Sequence, residues 1–193
     1  HLHEFRARFP AVMLDISATD RMIDLVSEGI DAVVRLAVLE DSELICRKIG
    51  DVPMLTCAGA EYLANYGTPL TPADLSGHQL VNYALRMPAL SSEWEGRENG
   101  REVTVAMSSH LCVDNAESYV SAALHGHGLI QVPAHDVTDD IAAGRLIEVL
   151  TEYRPAPVPI SILYGRRRHV APRLTVFMDW LSNLLRDEGF AET

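Results

Sequence analysis

Apolar residues recur along this chain with two alternating periods, near 3.6 and near 2, and so predict helices and strands in turn. Leu2, Phe5 and Phe9 share one face of a helix over residues 1–9, stopped by Pro10. Val12, Leu14 and Ile16 alternate as a short strand. A helix is predicted over 22–28, with Asp20 as its N-cap and Gly29 at the C′ position, where a positive φ costs glycine nothing. Residues 30–36 then form a strand that is apolar on both faces up to Arg35, the pattern of a buried parallel sheet. "LICRKIG" and "VPMLTCA" read as two more strands on either side of Gly50-Asp51, followed by a short helix ending at Gly67.

"TPAD" opens another helical turn, with Thr71 and Asp74 spaced as a capping box and Pro72 in the first turn. "HQLVNYA" reads as a strand. Asn99-Gly100 is a strong hairpin signal, because both residues of a type I′ turn need positive φ, and Val103, Val105 and Met107 alternate after it. "HLCV" is a strand leading to a helix capped by Asp114, with Glu117 three residues on. "LIQV" is a strand stopped by Pro133, "HDVTDDIAAG" a helix closed by Gly144, and "RLIEVL" a strand. Pro155, Pro157 and Pro159 stiffen the connection to a last strand, "ISILYG", and a long helix over 171–188. Strands alternating with helices predict a doubly wound α/β fold.

Composition narrows the function. The chain has 193 residues and a net charge of −11, so it does not offer the basic face that gripping nucleic acid requires. No run reaches the ~18–20 apolar residues of a membrane span, and a cytoplasmic location is expected. The start, "HLHEFRARFP", lacks an initiator methionine and is read as lying inside a longer protein. Cys46, Cys57 and Cys112 are an odd count without CxxC spacing, and all three are expected to be buried thiols in a reducing compartment. A redox-sensing thiol would instead need an exposed, low-pKa cysteine with a resolving partner.

Four stretches in order and spacing, "LVSEGIDAVVR", "AEYLANYGTPLTPADLSGHQLV", "AALHGHGLIQVPAHDVTDDIAAGRLIEVL" and "RRRHVAPRLTVFMDWLSNLL", resemble the effector-binding region of LysR-type transcriptional regulators. The resemblance implies two Rossmann-like α/β lobes joined by two crossover strands, as in type II periplasmic binding proteins. Lobe I would be residues 1–58 plus 160–193, and lobe II residues 59–159. It implies a bacterial regulator whose DNA contacts lie in a separate N-terminal helix-turn-helix domain, a homodimer or tetramer, and a small-molecule effector held in the interlobe cleft. Family domains open with a strand ahead of the first helix, whereas this chain opens within that helix. Helix 1–9 would pack antiparallel against residues 117–124 of a neighbouring copy.

Ligands of open α/β sheets sit beyond the carboxyl ends of strands. Arg35 is placed there, and its permanent, fork-shaped charge suits a carboxylate ligand; an internal ion pair, with Asp20 or a lobe II carboxylate, is the competing role. Ser17, Ala18 and Thr19 end the strand before it, their hydroxyls meeting the effector or capping the next helix. Asn115 stands at a helix start, where free N–H groups and the dipole favour anions, and is preferred to Asp114 as a ligand contact on the assumption that Asp114 makes the cap. Gln131, Val132 and Pro133 end a lobe II strand, and Ala58 and Tyr164 mark the crossovers. No cofactor is expected. His125 and His127, two apart on a helix, diverge too far for a metal pair. "GHGLIQ" lacks the glycines and the strand-to-helix order of a dinucleotide site. The "RRRH" run at 166–169 is read as a solvated loop rather than a DNA contact. No nucleophile or acid–base cluster suggests an enzyme. A transporter's solute-binding protein of the same fold is the alternative reading.

Overall fold

The computed structural model describes residues 1–21, 23–25, 27–36, 44–84, 92–166 and 170–190. In chain order its elements begin with helix α1 (Leu2–Arg8), strands β1 (Ala32–Leu36), β2 (Leu44–Val52) and β3 (Met54–Gly59), helix α2 (Ala60–Tyr66) and strand β4 (Asn82–Tyr83). They continue with β5 (Glu93–Glu98), β6 (Arg101–Ala106), β7 (Cys112–Val113), α3 (Ala116–Leu124), β8 (Ile130–Pro133), α4 (Thr138–Ala142), β9 (Leu146–Val149), β10 (Val158–Gly165) and α5 (Pro172–Asp187). The chain divides into two units. The first comprises His1–Ala18, Ile23–Val52 and Val158–Thr193, the second Thr19–Met22 and Pro53–Pro157.

In the first unit β10 lies between β1 and β2 and is antiparallel to both. The parallel sheet expected around residues 30–36 is therefore not what forms, because an apolar run reports burial on two faces and not strand direction. A bulge interrupts the β2–β10 ladder: Ile160 faces Gly50 while Ser161 faces Lys48, leaving Ile49 as the extra residue. Ile49 turns into the core with Ile162 and Met178 of α5. The break expected at Gly50-Asp51 falls instead at Pro53, which has no N–H to donate and ends β2. Phe5 of α1 is wholly buried, with its ring 5.4 Å from Phe177 at 87° and 5.0 Å from Trp180.

Two predictions in this unit fail locally. Val12, Leu14 and Ile16 alternate as expected, but residues 12–20 join no ladder among the described residues, and Met13 and Ile16 are largely exposed. A period-2 pattern is only half of a strand; the other half is a partner. Of the helix expected over 22–28, Met22 and Val26 lie outside the described residues, Ile23 and Asp24 are irregular, and Leu25, Ser27 and Glu28 lie in a turn. Its exit is the predicted one: Gly29 takes φ +68°, and the Ile30 N–H donates to the Leu25 carbonyl at 2.9 Å.

In the second unit β3 lies between β8 and β9, antiparallel to both. A parallel bridge joins Leu80 to Leu129, just ahead of β8, and β4 pairs parallel with β7. Alternate residues of β3 serve opposite faces. Leu55 and Cys57 pack with Tyr119, Ala122 and Ala123 of α3, whereas Ala58 packs with Tyr62, Leu63, Leu75 and Trp94. A sheet buried on both faces is what the α/β expectation requires, with mixed rather than parallel pairing. The β5–β6 hairpin turns where predicted, with Asn99 at φ 52° and Gly100 at φ 78°. The Thr71/Asp74 capping box also forms, on a 3-10 turn (Pro72–Gly77) rather than an α-helix.

Candidate functional site

In the first unit, Arg35 stands on β1 opposite Ser161 of β10 and is half-buried. Ser161 is buried, so the arginine's strand is backed by a covered hydroxyl-bearing position. Tyr164 lies on the same β10, facing Ala32 on one side and Ile45 on the other, inside the strand. Ser17 and Ala18 are exposed. Ser17 borders a cavity of about 500 Å³ whose other walls come from residues 12–16, Glu28–Ala32 and the α5 residues Arg173, Leu174 and Phe177. Arg173 reaches Asp31 at 3.5 Å on that wall.

In the second unit, α3 is a nine-residue helix whose first N–H groups have no partner inside the helix. Asn115, not Asp114, is its N-cap: the Asn115 Oδ1 accepts from the Ser118 N–H at 2.9 Å. This corrects the assumption that Asp114 makes the cap. Either side chain suits the position, and the backbone decided which one reached it. The Asn115 amide then donates to Asp114 Oδ1 at 3.2 Å. The Ala116 N–H is taken by Asp20, whose Oδ2 lies 3.1 Å away. Asp20 was expected to cap its own downstream helix; it caps this one, ninety-six positions along the chain. The Arg21 N–H donates to Thr19 Oγ1 at 3.2 Å, so that hydroxyl serves its own loop.

The Gln131 side chain behaves like a strand residue. Its Oε1 accepts from the Glu95 N–H at 3.0 Å, and its Nε2 donates to the Glu95 carbonyl at 2.6 Å and to Thr56 Oγ1 at 3.3 Å. Trp94 Nε1 donates to the same Thr56 hydroxyl at 2.9 Å. The carboxamide thus fastens β5 to β8. Nothing in "LIQV" signalled this, because the partner is remote in sequence. Val132 is buried in the core, Pro133 ends β8 opposite Met54, and Ala58, wholly buried, lies inside β3 opposite Ile147.

The electrostatics of this unit are acidic. Burial raises the Tyr83 phenol most, helped by its hydrogen bond to Asp20 and by the charges of Asp20, Asp114 and Glu117. Partial burial of its carboxyl raises Asp136; the His135 imidazole, 2.9 Å away, opposes this, and Asp20 and Glu117 reinforce it. Burial pushes the Cys57 thiol up to about 12, with Glu148 and Asp140 adding to it, which leaves an inert thiol. Cys112 is half-buried, but Cys46 is exposed, against the expectation that all three thiols are covered. The reason is register: Cys46 falls on the outward face of β2, where the neighbours Ile45 and Arg47 are half-buried. His125 Nδ1 lies 2.7 Å from the Ser121 carbonyl. Among the described residues no group of three or more His, Cys, Asp or Glu could hold a metal ion, and no helix is long and apolar enough to cross a membrane. Of the basic run, residues 167–169 lie outside the described residues.

Comparison with known proteins gives a consistent result. The sequence model of a family described as the LysR substrate binding domain matches residues 1–186. An uncharacterized HTH-type transcriptional regulator of Escherichia coli, YhjC, is 34% identical over 186 residues, 96% of this chain and 62% of the relative. An HTH-type transcriptional repressor of Pseudomonas aeruginosa is 29% identical over 96% of this chain and 59% of its own length. The chain thus spans about three fifths of the curated relatives it matches. The regulatory domain of CrgA, a LysR-type transcriptional regulator from Neisseria meningitidis, superposes with a TM-score of 0.81 at 29% identity, covering 95% of this chain and 89% of that one.

Proposed function

Because the chain belongs to the LysR substrate-binding domain family, we propose that it is the ligand-sensing part of a bacterial transcription regulator that binds a small anionic metabolite. The observation that carries this reading is the extent of the match: it runs from residue 1 to 186 and includes a regulatory domain covered over nearly its whole length. The relatives named as HTH-type regulators support it over a transporter's solute-binding protein.

On this reading DNA is held by a helix-turn-helix domain elsewhere in the protein, and a net charge of −11 agrees with the sensing part keeping off DNA itself. The protein works in the cytoplasm as a homodimer or tetramer and binds its effector without turning it over. Ligand binding shifts an equilibrium between conformations by its differential affinity for them, and the DNA-binding heads respond. The boundaries 1–58 plus 160–193 and 59–159 stand as the proposed extents of the two lobes.

The proposed ligand contacts are those named from the sequence, with Arg35 as the cation. Asn115 and Gln131 already spend their side chains on internal partners, so they enter as positioning groups for the segments around them. Ser17, Ala18, Thr19 and Arg35 are the direct contacts. Calorimetry of the full-length protein against a panel of small carboxylates tests this. Arg35→Ala is expected to weaken the best carboxylate by roughly tenfold or more, the loss of one charge-assisted hydrogen bond; unchanged affinity removes the arginine from the site.

A further inference from the structure

Register sorts the side chains of the first unit's sheet onto two faces. Val34 of β1, Ile162 of β10 and Arg47 of β2 form one cross-strand row, and residues directly opposite one another share a face. That face is the one covered by α5, since Ile162 packs with Met178 and the Arg47 guanidinium donates to Asp179 at 2.7 Å. Side chains alternate along a strand, so the next row, Arg35, Ser161 and Lys48, belongs to the other face. Cys46, two residues before Lys48, is on that face and is exposed, as is 43% of the Lys48 side chain, so the face is open to solvent along β2.

Two cations thus flank a buried serine. With β10 between them, β1 and β2 run roughly 10 Å apart, and two long side chains can span that distance above a residue as small as serine. The bulge at Ile49 brings a carboxylate to the same face: Asp51 stands opposite Pro159, two residues from Ser161, and its Oδ2 lies 2.8 Å from the Lys48 ammonium.

We propose that Lys48, positioned by Asp51, is a second cation of the effector site, and that one carboxylate group of the ligand is shared between Lys48 and Arg35 above Ser161. This rests on the effector-sensing reading and adds to it a second anchor and the charge that the site accepts. An ammonium has three N–H donors; Asp51 takes one and a ligand oxygen another. Arg35 and Asp51 have further interactions in the fold, and a guanidinium with five N–H donors serves a ligand alongside them. Arg35, Lys48 and Asp51 together leave one positive charge in excess, which a single ligand carboxylate neutralises, whereas a second would meet Asp51.

Calorimetry of the full-length protein with propionate, benzoate and succinate tests the assignment. Lys48→Met is expected to weaken the best bound of the three by roughly tenfold, the loss of one charge-assisted contact, and Lys48→Arg to recover most of it. Asp51→Asn breaks the same ion pair but removes a negative charge from beside the ligand, so it is expected to tighten binding. Opposite signs identify Lys48 as a ligand group, because a purely structural ion pair moves both variants alike. Succinate is expected to gain nothing over propionate from its second carboxylate. Lys48→Gln carries the test if Lys48→Met does not fold. Affinity unchanged in the lysine variants, or lost equally in Asp51→Asn, overturns the proposal, as does a parent protein that binds none of the three. Where Arg35→Ala still weakens binding while the lysine variants do not, the effector-sensing reading stands and Lys48 alone is removed from it.

Discussion

His78 is buried, with its ring Nδ1 3.3 Å from the Tyr62 hydroxyl, which in turn accepts the Gln79 N–H at 2.8 Å. Burial lowers its pKa from the ordinary 6.5, and the nearby Asp74 charge only partly offsets this. Between the lowered value and 6.5 the unfolded chain holds more protons than the folded one, so stability rises with pH across that window and falls on acidification. Denaturation midpoints measured from pH 7 downward should therefore decline, and His78→Gln should flatten the decline; a midpoint independent of pH there contradicts it. Asp74 adds to the trend at lower pH, since hydrogen bonds from Thr71 and Leu70 hold its carboxyl below the usual carboxylate value. Residue chemistry of this kind was half legible. The capping box can be read in "TPAD" because its partners are three residues apart. The role of Gln131 and the capping of the Ala116 N–H cannot be read, because the decisive partners, Glu95 and Asp20, come from distant segments.

At the scale of elements, Gly59 marks where β3 turns into α2. A Cβ there would collide with the backbone carbonyl oxygen of Ala123, on the helix covering that sheet face. Its φ is −62°, so the demand for glycine is one of space and not of backbone conformation. Gly59→Ala should therefore push α3 off the sheet and cost about 1–3 kcal/mol, read as a lower midpoint in urea. Gly67→Ala, where a Cβ meets nothing but φ is +86°, separates the two causes, since any loss there is backbone strain. Element positions followed the periodicity well for β3, α3 and α5. They failed for residues 12–16, which have a strand's alternation but join no ladder among the described residues. The hairpin at Asn99-Gly100 succeeded because both of its strands and its turn are local.

For the whole molecule, the proposed oligomer rests on a helix, α1, whose Phe5 is already committed to Phe177 and Trp180. What it can offer a second copy is its outer face, where Leu2 is 44% exposed. Sedimentation equilibrium of the full-length protein should show a dimer or tetramer, and Leu2→Glu should weaken it; a strict monomer at high concentration counts against pairing through this helix. The sequence by itself determined the class of fold, the helix and strand sites set by local period and turn chemistry, the acidic balance that disfavours nucleic acid, and the family resemblance. These depend on which residues stand near one another along the chain. Only the tertiary structure decided strand direction, the bulge at Ile49, the exposure of Cys46, and the attachment of Asp20 to the start of α3. Each of these is a pairing between segments far apart in the chain, and the energy that selects such a partner comes from burial and hydrogen bonding that no local pattern encodes.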